Sequence, residues 1–270
     1  MPSTSLIARS YLFVPGNRPE RFDKACAAGA DAVIIDLEDA VPPADKDKAR
    51  AAIADWLSPD RNVLIRLNSA DTEWFAADLS LCGKAGVAGI VLPKAERTED
   101  LEGLIAHRAK AVLPLIETAQ GFAHAGALSK VAGVQRLLFG SIDFQLDMGI
   151  DGEGEELLYF RSQLVLLSRL AGIQAPVDGV TVAIDDVAQL RADTLRARRL
   201  GFGGKLCIHP RQLPVVGEVF YPGADDIAWA ERVLEAASRA NGAAVALDGK
   251  MIDLPVIRKA QGIVTEAARS

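Results

Sequence analysis

Leu113-Pro114-Leu115-Ile116-Glu117 and Leu137-Leu138-Phe139-Gly140-Ser141-Ile142-Asp143 frame the segment on which the fold is read. Each is a short apolar run that ends in, or turns sharply toward, a carboxylate. An apolar run of roughly 4–8 residues bounded by Gly or Pro has the pattern of a strand buried on both faces. A carboxylate at the carboxyl end of such a strand has left the core and can face a ligand. Two of them, on strands separated by one helix-length segment, can grip one divalent cation.

Working outward, apolar β-branched runs recur on both sides. Tyr11–Val14, Ala32–Leu37, Val63–Leu67 and Gly89–Leu92 precede the framed segment, and Val180–Val182 and Lys205–Ile208 follow it. With the two framed runs these make eight expected strands. Helical spacing fills the gaps: Ala49, Ile53, Trp56 and Leu57 form one face, as do Leu101, Leu104 and Ile105. Trp74, Phe75, Asp78 and Leu79 belong to a further helical segment. The stretch from Glu155 to Ala171 is the longest, with Gly172 as its stop. Strand–helix alternation of this kind predicts an α/β fold with a parallel sheet covered by helices. Eight units point to a (β/α)₈ TIM barrel, although an open doubly wound sheet fits the same periodicity.

The alternation stops after the eighth run. Tyr221-Pro222-Gly223 punctuates a connector, a helix follows from about Asp225 to Asn241-Gly242, and Asp248-Gly249 marks a hairpin turn before a last helix. The reading is therefore a barrel domain over 1–220 and a C-terminal helical lid or oligomerisation segment over 221–270.

Composition narrows the function classes. Half of the 270 residues are hydrophobic and the net charge of −6 is spread along the chain, so neither nucleic acid nor a membrane surface is an expected partner. No apolar stretch approaches the ~20 residues that span a bilayer. The N-terminus lacks the pattern of a signal peptide, and three cysteines without CxxC spacing fit a reducing compartment, so a cytoplasmic location is expected.

In a barrel of this kind, functional side chains gather at the carboxyl ends of the strands. Those ends carry Asp36 and Glu38, Arg66 and Asn68, Lys94, Glu117 and Asp143, with Asp178 bordering the seventh. The set is acidic with two cations and no histidine, which suits Mg²⁺ or Mn²⁺ over Zn²⁺. Mg²⁺ takes few protein carboxylates and keeps open positions, a demand that Glu117 and Asp143 meet. Those positions suit the carboxylate and keto oxygens of a 2-oxo acid, and the planar fork of Arg66 can pair with the same carboxylate. A ring of salt bridges at the barrel rim explains the same residues without chemistry.

The ordered motifs resemble the citrate lyase β-subunit-like enzymes of the HpcH/HpaI aldolase superfamily. They are Arg9–Gly16, Asp36–Val41, Arg66-Leu67-Asn68, Leu92-Pro93-Lys94, Ile116-Glu117-Thr118, Phe139–Phe144, Gly204–Pro210 and Gly249–Pro255. The resemblance implies a Mg²⁺-dependent carbon–carbon lyase that cleaves a 3-hydroxy-3-carboxyacyl-CoA to acetyl-CoA and a 2-oxo acid. Citramalyl-CoA, malyl-CoA and citryl thioesters are the candidate substrates. It implies metal ligands at Glu117 and Asp143, substrate contacts at Arg66, Asn68 and Glu117, and catalytic roles for Asp253 and Arg66. Asp36 and Glu38 are expected to orient metal-bound waters or a basic neighbour, and Lys94 to balance the acidic rim or orient Glu38. Asp253 resembles the family's catalytic acid, often lent to a neighbouring subunit, which implies a homotrimer or hexamer; the same residue also reads as a helix N-cap. A metal-dependent aldolase acting on a free hydroxy-oxo acid, and a carrier-binding subunit of a citrate lyase complex, are the alternatives.

Overall fold

A computed structural model describes residues 8–239 and 244–268. Eight parallel strands close into a barrel in sequence order. They are β1 Ser10–Pro15, β2 Ala32–Asp36, β3 Val63–Arg66, β4 Val87–Leu92, β5 Val112–Ile116, β6 Leu138–Phe139, β7 Val177–Asp178 and β8 Gly204–Cys207, and β8 pairs back to β1. The helices between them are α1 Phe22–Cys26, α2 Lys46–Trp56, α3 Phe75–Asp78, α4 Thr98–Ala106, α5 Ala119–Leu128, α6 Ser141–Met148, α7 Leu158–Ala171 and α8 Val187–Leu200. The closed (β/α)₈ barrel expected from the alternation is therefore the fold.

Side chains alternate across each strand, and the alternation sorts the core into two layers. Ile34, Leu64, Val91, Leu113, Leu115, Leu138, Val177 and Leu206 fill the barrel interior together with Tyr11. Residues of opposite parity, such as Ile35, Ile65, Ile90 and Ile116, are fully buried on the outer side of the sheet. Extending the inward parity one step past the interior residues reaches Asp36 on β2, Arg66 on β3 and Glu117 after β5. The register sets Asp36 directly beside Arg66. The same two-residue period that packs the core thus delivers charged groups to the mouth.

Two strands differ from the sequence reading. The seventh is Val177–Asp178, and Val180–Val182 is irregular chain beyond it. Asp178 points outward, fully buried, with Arg161 of α7 at 2.9 Å. A charged residue so placed masks a strand in any apolar-run search. The sixth strand ends at Phe139, so Ile142 and Asp143 belong to α6.

The chain divides into two compact units, the barrel unit reaching Val216 and a smaller one beginning at Gly217, within helix α9 (Leu213–Phe220). In the smaller unit, α10 (Ala224–Arg239) packs on α11 (Leu254–Ala267) through Ala230, Val233 and Ala260. Ile252 joins that cluster from a hairpin of β9 (Val245–Leu247) and β10 (Lys250–Ile252). Asp248 and Gly249 form the two-residue turn at φ 50° and 74°, the left-handed pair that such a connection requires. The expected helix stop at Asn241-Gly242 lies outside the described residues.

Candidate active site

A cleft of about 410 Å³ opens at the carboxyl mouth of the barrel, and Asp36, Arg66, Glu117 and Asp143 all line it. Arg66 donates to Asp36 from Nε and Nη2, both at 2.7 Å, and its Nη1 stands 2.9 Å from Glu38 Oε2. Its guanidinium also lies over the Phe13 ring, 4.9 Å from the centroid. A guanidinium carries five N–H groups. Two of them donate to Asp36, which leaves N–H groups on both Nη1 and Nη2 for an incoming anion. Burial works against the charge, but Asp36, Glu38 and Glu117 outweigh it, so Arg66 is held protonated more firmly than usual.

Asp36 is itself fixed by its own turn, accepting from the Glu38 amide at 2.9 Å and the Ala40 amide at 3.3 Å. Glu38 is anchored from the other side by Lys94 Nζ at 2.5 Å. Burial pushes the Glu38 carboxyl above its usual range, opposed by Arg66 and by the Lys94 bond. Lys94 adopts a left-handed backbone at φ 45° and turns its amide to Glu117 Oε1 at 2.8 Å. One residue therefore steers two carboxylates, one through its side chain and one through its backbone.

Glu117 is 1% exposed. Burial, then the charge of Glu38, pushes its carboxyl up to about 8; Asp143 adds to the rise and Arg66 opposes it. Thr118 follows as the N-cap of α5, accepting from the Gly121 amide at 3.0 Å, so the chain leaves the strand as soon as Glu117 has reached the mouth. Room for the carboxylate comes from Gly140, where a Cβ would stand 2.4 Å from Glu117 Oε2. Asp143 sits half-buried in the first turn of α6, where the helix dipole favours a negative charge.

The donors facing the cleft suit a hard cation. Glu117 and Asp143 repel one another electrostatically across it, no histidine lines it, and a divalent ion would relieve the strain on the buried carboxylate. Among the described residues no group of three or more His, Cys, Asp or Glu is gathered into a cage. An ion that keeps waters or substrate oxygens needs only one or two carboxylates.

Other expected residues are placed elsewhere. Asn68 does not line the cleft: its amide and side chain both donate to Asp78, at 2.9 and 2.7 Å. Asp78 is fully buried on α3 and was hidden in a helical pattern. Asp253 occupies the N-cap position of α11 in the smaller unit, and its side chain makes no capping bond. His209 accepts from the Arg211 amide at 3.1 Å, a local structural task. Sequence reasoning missed Lys46, a buried α2 lysine whose Nζ donates to the Leu37 and Glu38 carbonyls, both at 2.7 Å. The signal was a lysine on the apolar side of an amphipathic helix, next to Ala49 and Ile53 in the pattern.

Comparison with known proteins agrees with this geometry. The family model for HpcH/HpaI aldolase/citrate lyase matches residues 9–210. A citrate lyase subunit beta-like protein of Deinococcus radiodurans is 35% identical over 99% of this chain and 100% of its own length. A (3S)-malyl-CoA thioesterase of Cereibacter sphaeroides is 35% identical over 91% of this chain and 89% of its own. Among solved structures, the CitE protein of Mycobacterium tuberculosis in complex with magnesium, acetoacetate and coenzyme A superposes with a TM-score of 0.85 at 34% identity, covering 97% of this chain and 98% of the other. With the motifs, the barrel and the acid-lined mouth all in agreement, the chain belongs to the HpcH/HpaI aldolase/citrate lyase family of carbon–carbon lyases.

Proposed function

We propose that the protein is a Mg²⁺-dependent acyl-CoA lyase that cleaves a 3-hydroxy-3-carboxyacyl-CoA to acetyl-CoA and a 2-oxo acid. The observation that carries this is the convergence of Arg66, Glu117 and Asp143 on one cleft, with guanidinium N–H groups beyond the two bound to Asp36 left for an anion. The coenzyme A and magnesium of the similar CitE complex support it. Glu117 and Asp143 would hold the metal, whose chemistry when bound is to neutralise negative charge developing on the substrate's oxygens.

In this reading Arg66 binds the substrate carboxylate end-on while Asp36 and Glu38 keep the guanidinium from rotating. Lys94 keeps Glu38 and Glu117 in place. The bond between the hydroxyl-bearing carbon and the adjacent acetyl carbon breaks. Its electron pair passes to the acetyl carbon, the hydroxyl loses its proton to become the ketone, and the acetyl enolate takes one up. Asp253 is the group we assign to protonate that carbon. The absence of a capping bond leaves its carboxylate uncommitted to its own helix, and the family resemblance supports the role. We further propose that it acts across a homotrimer or hexamer. Leu146, Tyr159 and Leu170 on α6 and α7 are 82%, 62% and 70% exposed, apolar surface of the kind a neighbouring copy would cover. The free thiols of Cys26, Cys82 and Cys207 fit the cytoplasm we expect.

The test is to incubate the protein with Mg²⁺ and citramalyl-, malyl- or citryl-CoA and follow acetyl-CoA and free CoA separately. Acetyl-CoA is the expected product. Free CoA without acetyl-CoA indicates hydrolysis, the activity named for the similar Cereibacter sphaeroides protein. Activity that survives EDTA refutes the metal assignment.

A further inference from the structure

Helix α2 carries two cations one turn apart, Lys46 and Arg50, and neither lines the cleft. Residues four apart on a helix share a face, and here each of the pair is directed to the exit of a different strand. Lys46 is buried, and its Nζ donates to the Leu37 and Glu38 carbonyls, both at 2.7 Å, on the two residues that follow β2. Arg50 Nε donates to Asp78 Oδ1 at 2.7 Å. Asp78 Oδ2 in turn accepts from the amide and the side chain of Asn68, just past the end of β3.

The strand ladder stops at the same level. The Leu37 amide still donates to the Arg66 carbonyl at 2.9 Å, and the Leu67 amide to the Val91 carbonyl at 3.2 Å. One residue further, the Glu38 amide turns back to Asp36 and the Asn68 amide to Asp78. Where the sheet lets go of the two chains, α2 takes hold of them. Burying a lysine and an arginine costs desolvation that apolar residues would avoid, so the pair is poorly explained by packing alone.

We propose that Lys46 and Arg50 are positioning residues that aim the Arg66 guanidinium. The inference rests on the reading above, in which Arg66 binds the substrate carboxylate. The Asp36 carboxylate that takes two bonds from Arg66 is itself held by the Glu38 and Ala40 amides. Those amides belong to the turn whose carbonyls Lys46 grips, so removing the ammonium loosens the turn, then Asp36, then the fork. Arg50 acts from the other side, through Asp78 and Asn68, on the chain that leaves Arg66. A fork turned out of line loses part of its paired contact with a carboxylate.

Lys46→Met and Arg50→Met keep the apolar stems and remove the donors. In Mg²⁺, each should raise KM for the thioester that the wild type cleaves on the order of 10-fold, with kcat little changed. Pyruvate binding, measured by calorimetry on the Mg²⁺-loaded protein, should weaken by a similar factor. Mg²⁺ should protect both variants against urea as it does the wild type, since Glu117 is anchored by the Lys94 amide and Asp143 stands on α6. Arg50→Lys restores one donor to Asp78 and should recover part of the affinity. A merely structural role gives the reverse split, fewer active molecules and a lower kcat at unchanged KM. That pattern overturns the proposal, as does wild-type pyruvate affinity in both methionine variants.

Amide exchange separates this proposal from the lyase reading. Lys46→Met should speed exchange at Glu38 and Ala40, and Arg50→Met at Asn68, each on the order of 10-fold, while β5 to β8 keep wild-type protection. If the wild type cleaves no thioester, the lyase reading fails and the exchange pattern alone decides: faster exchange at those amides supports the bracket, and unchanged exchange at all three overturns it. If a methionine variant does not fold, Arg50→Lys carries the test, with an intermediate loss of pyruvate affinity expected and a full wild-type value overturning the proposal.

Discussion

Replacing Glu117 by glutamine should separate what the residue costs the fold from what it contributes to the site. In the metal-free protein the Glu117 carboxyl is buried and titrates at about 8 instead of its ordinary 4.5. The folded-state value is raised. The associated stability is therefore complete below 4.5 and is lost as pH rises through 8. Each step of one in pH inside that window is worth about 1.4 kcal/mol. Between about pH 5.5 and about pH 8 the wild type should lose about 3 kcal/mol more than Glu117→Gln.

Urea unfolding in EDTA at those two pH values reads the difference directly. Glutamine keeps an oxygen for the Lys94 amide, so the local hydrogen bond survives. Adding Mg²⁺ should then stabilise the wild type and leave the variant unmoved, because binding to the folded state alone raises stability by mass action. Equal pH slopes for the two proteins would refute the buried, proton-holding carboxyl. A variant stabilised by Mg²⁺ as strongly as the wild type would refute its place as a ligand.

Gly140→Ala puts a methyl 2.4 Å from Glu117 Oε2. Displacing that carboxylate should lower kcat on the order of 100-fold with the circular dichroism spectrum unchanged, and wild-type turnover would show that the cleft gives way freely. Arg161→Ala leaves Asp178 buried without its 2.9 Å partner. A loss of about 3–5 kcal/mol in urea unfolding is expected, largely recovered in an Arg161→Met/Asp178→Leu double variant; a single-variant loss of under about 1 kcal/mol excludes a tight pair. Asp253→Asn should cut turnover about 100-fold or more while Mg²⁺ still protects the protein against urea, and near-normal turnover removes Asp253 from the chemistry.

Much of the fold was legible because its period is simple. Most strands declare themselves as apolar runs at regular spacing, and the strand-end rule alone brings Asp36, Arg66 and Glu117 to one mouth. The failures share a cause. Val177-Asp178 was passed over because a charge inside a strand looks like a boundary until Arg161, seventeen positions away on α7, is seen to cancel it. The resemblance points Asn68 toward substrate, and nothing local reveals that its amide and side chain both donate to the buried Asp78. Lys46 gives no sign of its role in the sequence, because carbonyls that accept from a lysine leave no trace in composition. Long-range polar partnerships are specific in space and nearly silent in sequence, whereas apolar periodicity is repeated often enough to read.

The clamp on Arg66 has a thermodynamic consequence. An arginine side chain free in water gives up about 2 kcal/mol of rotamer entropy when it is fixed. Here that loss has been incurred during folding, by two bonds to Asp36 and the ring of Phe13. An arriving carboxylate meets a fork already aimed, so its binding carries little ordering penalty on the protein side. Mutating Asp36 should therefore weaken ligand binding chiefly through a less favourable entropy, at a residue whose carboxylate carries the same sign of charge as the ligand.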